Sequence, residues 1–187
     1  LHLCHHNLES ISDYDSNARH KLLLEVCMAA KYEGDSIKTH HQQHQNKYGN
    51  SASQLCTVLA RSFADIGDIV RGKDLFLGNT YESAQRIILE NNLKKIFRNI
   101  YDKLDGKNGK TLQERYQDAT GNFFKLREDW WNNNRLMVWI AMTCGAGQND
   151  KYFRQTCNGG TSSTNTQCRC AIHGVPTYFD YVPQYLR

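Results

Sequence analysis

The stretch Leu59–Asp74, L-A-R-S-F-A-D-I-G-D-I-V-R-G-K-D, decides the fold. With Leu55 ahead of it, Leu59, Phe63, Ile66 and Val70 recur at helical spacing and form one apolar stripe. Ser51 or Ser53 is suited to cap the start of that helix, and Gly72 to close it, because glycine accepts the left-handed backbone that follows a last turn. Gly67 lies inside the pattern, where glycine costs about 1 kcal/mol relative to alanine. Such a residue is understandable where another helix approaches the backbone. Arg61 stands four residues before Asp65 and Arg71 three after Asp68, so ion pairs on the helix surface account for both carboxylates.

Working outward, Asn17 to Tyr32 carries Leu22, Leu23, Val26, Cys27 and Ala30 at helical spacing, a stripe that Gly34 is placed to end. Thr39–Tyr48 is polar, rich in His and Gln, and reads as an exposed loop or a frayed helical end. On the other side, Thr80–Leu104 sets Leu93, Ile96, Phe97, Ile100, Tyr101 and Leu104 in a stripe with a polar face opposite. Asp105–Lys110 has the glycine and asparagine of a turn, a second gap falls at Gly121-Asn122, and a short helix fits between them. A long helix then ends near Cys144. Its apolar face is expected through Phe123, Arg127, Trp130, Asn134, Met137 and Ala141, with Phe124, Trp131 and Val138 beside them and a kink at Asn132–Asn134. Gly145-Ala146-Gly147 is a helix stop without the lysine of a phosphate loop. Beyond it the composition turns to Gly, Ser, Thr and Asn with three cysteines inside fourteen residues, so covalent links must replace the missing stripe. Helices joined by polar loops predict an all-α antiparallel helical bundle.

At 187 residues, 40% hydrophobic and 22% charged, the chain can build a packed core and lacks the composition of a disordered one. It contains no run that reads as a membrane span or a leader, so no membrane contact is expected of this segment itself. The formal charge of +4 is too small to argue for nucleic acid, yet favours an acidic partner where cations cluster. Seven cysteines, at positions 4, 27, 56, 144, 157, 168 and 170, with no C-x-x-C pair, point to an oxidised extracellular compartment. Their odd number leaves one thiol free or partnered elsewhere, as expected of a chain cut from a longer one. The abrupt start in Leu1-His2-Leu3 and the stop after Pro183, where proline suits the first turn of a further helix, support the same expectation.

Leu59–Asp74 resembles the hallmark block of a Duffy-binding-like domain, of the alpha type found in the erythrocyte membrane proteins of Plasmodium falciparum. Leu1–Cys4, Leu22–Gly34 (LLLEVCMAAKYEG), Leu126–Trp131 (LREDWW), Val138–Gly145 (VWIAMTCG) and Pro176–Arg187 (PTYFDYVPQYLR) resemble further blocks of that family in the same order. His40–Asn50, Gly106–Gly121 and Cys157–His173 match less clearly, and such intervening segments are where ligand choice is expected to reside. The resemblance implies that residues 1–16 end a first subdomain, 17–148 form a helical-bundle second subdomain and 149–187 open a cysteine-rich third. It implies a disulfide between Cys56 and Cys144, although the residues alone leave two separately buried thiols open. Cys4 is expected to pair upstream, or with Cys27.

The resemblance also implies an adhesin, not an enzyme. It would be displayed outside the infected erythrocyte, anchored by regions beyond this chain, and would engage receptors on erythrocytes or endothelium, or sulfated and blood-group glycans, in cytoadherence or rosetting. From the residues, the candidate contact is a cationic patch formed by Lys94, Lys95, Arg98, Lys103, Lys107, Lys110 and Arg115, partly neutralised by Glu90 and Asp102. A solvated helix face is the plainer account of the same residues. Lys151, Arg154 and Arg169 make a weaker second group. No nucleophile with a base, paired catalytic carboxylates or phosphate loop is visible, and no cofactor is expected. Cys157, Cys168, Cys170 and His173 formally suffice for zinc, but C-x-C-x-x-H lacks the usual paired knuckle. His40, His41 and His44 have no carboxylate that completes a metal site. Two rivals therefore stand beside the adhesin: a structural scaffold whose ligand-binding surface lies in other subdomains, and, more distantly, a zinc-binding module.

Overall fold

The computed structural model describes residues 18–48, 54–75, 80–104, 109–171 and 174–187. Its helices are α1 (Ala18–Tyr48), α2 (Leu55–Arg71), α3 (Thr80–Asp102), α4 (Gly109–Tyr116) and α5 (Phe124–Met142). The tail adds short 3-10 turns at Asn158–Gly160, Phe179–Tyr181 and Gln184–Leu186. Among the described residues there are two isolated bridges, Cys157 with Ser162 and Thr166 with Arg169, and no strand. The all-helical class read from periodicity holds.

The hallmark helix α2 closes as its sequence predicts. Gly72 adopts φ 71°, its N–H donates to Ile69 O at 3.1 Å, and the Lys73 N–H reaches Asp68 O at 2.8 Å. This pairing satisfies carbonyls that the helix end leaves open, and the left-handed residue suits glycine. Gly67 meets the expected neighbour, since a Cβ there would lie 2.8 Å from the Trp131 ring of α5. Ser51 and Ser53 lie outside the described residues, and Gln54 precedes the first turn without a side-chain cap bond.

Gly34 does not end α1, which continues unbroken to Tyr48. A Cβ on Gly34 would stand 2.0 Å from the Met142 carbonyl oxygen, so this glycine marks a helix crossing. The polar segment stays helical because nothing in it breaks a helix, and its hydroxyls and imidazoles turn back on the ladder. Thr39 Oγ1 donates to Asp35 O at 2.9 Å, and His40 Nδ1 lies 2.8 Å from Ser36 O.

α5 is buried on more than one side. Leu126, Arg127, Trp130, Trp131, Val138, Trp139 and Met142 are all buried, whereas Met137 of the expected face and Phe124 beside it are 52% and 49% exposed. The tail accounts for the difference, because Trp131 Nε1 donates to Asp180 and Trp139 Nε1 to Cys168 O on that second side. Phe63 joins the layers, with ring centroids 5.1 Å from Trp131 and 5.2 Å from Trp139. No break falls at Asn132–Asn134.

The cysteines pair differently from the implied pattern. Cys56 bonds to Cys168, and Cys157 to Cys170. Cys144 is an exposed free thiol just past the end of α5, facing solvent and unable to meet the buried Cys56. Cys168 reaches it instead, held by Trp139 and by its own N–H on Asp150 O at 2.8 Å. The bond joins residues 112 apart, worth roughly 5 kcal/mol on a chain-entropy estimate. Cys27 is also free, and burial pushes its thiol up to about 11, so it carries no reactive thiolate at neutral pH. Cys4 lies outside the described residues.

Candidate adhesive face

α3 turns Leu89, Leu93, Ile96, Phe97 and Ile100 into the core at three- and four-residue steps, while Tyr101 and Leu104 are only half-buried. The same periodicity puts charged residues outside. Lys95, Arg98 and Lys103 are exposed, and Lys94 is half-buried at the edge. Lys94, Lys95 and Arg98 line a cleft of about 430 Å³ with Asn99, Asp102 and Phe123. Phe123 is set in place by the turn before α5: it takes φ 55°, and its N–H donates to Asp118 Oδ2 at 2.7 Å. Hydrogen bonds from Thr120, and then from Phe123 and Asn122, hold the Asp118 carboxyl below the usual range.

The seven cations expected in the patch have separate fates. Arg98 Nε pairs with Asp102 at 3.1 Å, an exposed contact one turn along the helix, weak by nature. Arg115 is held at 3.0 Å by Asp129, which also accepts from the Tyr116 hydroxyl at 2.7 Å. Lys107 and the Lys110 side chain lie outside the described residues. Glu90, expected to neutralise the patch, is committed to Arg127 instead. It receives Arg127 Nη1 and Nη2 at 2.7 and 2.9 Å, leaving Lys94 and Lys95 without an acidic partner among the described residues.

Of the two expected pairs of the hallmark helix, Asp65 is held by Arg187 and not by the exposed Arg61, and Asp68 does pair with Arg71 at 3.0 Å but in the interior, not on the surface. Asp68 and Arg71 are buried, and Arg71 donates to Gly67 O, Asp68, Glu128 and the Asp180 carbonyl. Arg187 bridges Asp65, at 2.8 Å, and Asp68. Asp180 takes a two-pronged grip from Arg135 at 2.7 and 2.8 Å, together with Trp131 Nε1 at 2.9 Å. These groups clasp the tail to α2 and α5. Burial pushes the Asp65 carboxyl up to about 6 although Arg187 opposes it, and Asp68 is raised for the same reason. Arg127, wholly buried, also donates to the Ile69 and Val70 carbonyls at the end of α2.

The zinc set lacks its thiolates, because Cys157, Cys168 and Cys170 all stand in disulfides, and His173 lies outside the described residues. Among the described residues no group of three metal-ligating side chains converges. In the second basic group, Arg169 is spent on the end of α5, donating to Thr143 Oγ1 and Ile140 O at 2.8 and 2.9 Å.

A helical bundle clasped in this way, with the hallmark block at its centre, matches the family model described as Duffy binding domain over residues 1–187. The chain belongs to that family. The Duffy binding domain is similar to two solved structures from the varO strain of Plasmodium falciparum. One is the NTS-DBL1-alpha and CIDR-gamma double domain of a PfEMP1 protein, 42% identical over 99% of this chain and 25% of that one, TM-score 0.80. The other is an NTS-DBL1(alpha-1) domain, 40% identical over 99% of this chain and 40% of that one, TM-score 0.78. A PfEMP1 DBLbeta domain described as ICAM-1-binding is 30% identical over the whole chain and 39% of its own length, TM-score 0.68. The Duffy receptor gamma form of Plasmodium knowlesi is 28% identical over 113 residues, 59% of this chain and 8% of that protein. This Duffy binding domain thus spans well under half the length of these relatives. The alpha-type resemblance of its hallmark block agrees with the two varO structures.

Within the domain, the sequence placed Lys94, Lys95 and Arg98 together but missed the tail clasp. That clasp joins residues of α2 and α5 to a tail far away in sequence. Asp65 and Arg187 are 122 residues apart.

Proposed function

We propose that this Duffy binding domain is a parasite surface adhesin. It engages receptors on host cells by non-covalent contact through the outer face of α3. One observation carries the choice of face: Lys94 and Lys95 line an open cleft, and among the described residues no acidic side chain is committed to them. Cations in that state can take sulfates or carboxylates of a partner without first breaking an internal pair. A relative described as ICAM-1-binding supports the receptor role. Host receptor proteins, sulfated glycans with heparan sulfate among them, and blood-group sugars are the ligand classes proposed for the patch. The domain would stand outside the infected erythrocyte, tethered by regions beyond this chain. Residues 17–148 would act as the bundle subdomain and 149–187 as the start of the next.

Heparin chromatography under a salt gradient tests the patch. Reversal of Lys94, Lys95 and Arg98 to glutamate is expected to bring elution to markedly lower salt, since each neutralised anion contact contributes to the salt dependence. Unchanged retention removes this face from the proposal.

A second reading, a scaffold whose adhesive surface lies elsewhere, is favoured by the short span this chain covers of its solved relatives. The two separate in a red-cell binding assay with this chain and a full-length relative side by side. Binding by the longer protein alone supports the scaffold.

A further inference from the structure

Lys94 lines two clefts. Beside the cationic one lies a second, of about 480 Å³, walled by Ile69, Ile87, Leu89 and Phe124. The size is that of an ordinary ligand pocket. Ile87 is 63% exposed and Phe124 49% exposed, although both are large apolar side chains. The ionic groups in this second cleft are already matched: Asp74 with Arg86 at 3.0 Å, Glu90 with Arg127 at 2.7 Å. Among the described residues, the two clefts therefore leave apolar surface unsatisfied on one side and cationic charge on the other, with Lys94 at the junction.

We infer that this face is a two-part seat for a segment of a protein receptor that carries acidic residues and an apolar anchor side chain. The inference rests on the adhesive role proposed for α3 and names its partner class. Charge complementarity selects the acidic half, and the unfilled cleft at Ile87 and Phe124 selects the apolar half. A polysulfated glycan matches only the first, because it bears anions along its length and has no aliphatic or aromatic side chain for the second. Spacing follows from the helix. Ile87 and Lys94 are seven residues apart, about 10 Å at 1.5 Å per residue. An extended chain covers that distance in about three residues. The receptor segment accordingly places its anchor roughly three positions from its acidic residues.

The chain is immobilised on beads and probed with red cells that are intact, trypsin-treated or heparinase-treated, and separately run on heparin. Ile87→Ser with Phe124→Ser alters exposed side chains only, and an unchanged melting curve verifies the fold. That pair is expected to lower cell binding at least tenfold while heparin retention stays as in the parent. Lys94→Glu with Lys95→Glu is expected to lower both. Trypsin treatment should abolish cell capture, and heparinase should leave it. Cell binding that survives Ile87→Ser with Phe124→Ser but disappears with heparinase identifies a glycan ligand and overturns the two-part seat. Cell binding untouched by Lys94→Glu with Lys95→Glu overturns the adhesive role of the α3 face itself.

Discussion

Replacing Gly34 with alanine gives opposite signs for an open and a crowded position inside α1. In an open helix interior it would gain about 1 kcal/mol from the better helix former. At the observed crossing, the new Cβ lies 2.0 Å from the Met142 carbonyl oxygen and 3.0 Å from its carbon, both backbone atoms that no rotamer change can move. Relief requires α1 and α5 to part by more than 1 Å beside the buried Ala29, Ala30 and Met142, which falls at the upper end of the roughly 1–3 kcal/mol typical of overpacking. Net of the propensity gain, Gly34→Ala should destabilise by about 2 kcal/mol. With a urea slope of about 2 kcal/mol per molar, the midpoint falls by about 1 M. Circular dichroism at 222 nm, with disulfides intact, measures it. Gly121→Ala is the control, because its Cβ would meet nothing within 4 Å and only the cost of φ +68°, about 1 kcal/mol, remains. An unchanged or raised midpoint for Gly34→Ala would refute the close crossing.

Peptide mapping without reduction should recover Cys56 linked to Cys168 and Cys157 linked to Cys170. Cys144→Ser should leave stability within about 0.5 kcal/mol, whereas Cys56→Ala with Cys168→Ala should cost about 2–5 kcal/mol. Arg127→Met strips partners from Glu90 and from two helix-end carbonyls, and a loss of about 3–5 kcal/mol in chemical unfolding is expected. Asp65 provides a pH test. Its carboxyl binds a proton more tightly when folded, so the stability linked to protonation is full below about 3.8 and is lost as pH rises through about 6, roughly 3 kcal/mol at most. Asp65→Asn should flatten that fall between about pH 4 and 6, and parallel urea midpoints for the two proteins would contradict it.

Local signals carried much of this molecule. The stripe from Leu55 to Val70, the stop at Gly72 and the close neighbour of Gly67 all follow from spacing and from the conformational freedom of one residue type. Gly34 misled because a glycine in a stripe has two physical explanations, and sequence alone does not weigh them. The outer face of α5 was misjudged because Trp131 and Trp139 find partners in a tail 29 to 49 residues downstream, beyond the reach of periodicity. The same distance hid the sulfur pairing and the grip of Arg187 on α2. At the candidate face, the clustering of Lys94, Lys95 and Arg98 was legible as helical neighbours. That Glu90 is committed elsewhere was not, since its partner Arg127 lies 37 positions on.

The sulfur bond between Cys56 and Cys168 makes a hoop of the backbone, with α3, α4 and α5 threaded on its circumference. A protease that makes a single cut within the hoop releases nothing: the severed ends stay on one molecule until a reductant opens it. The face proposed to meet a host cell is thus held by two independent routes round the ring, and losing either one alone does not set it adrift.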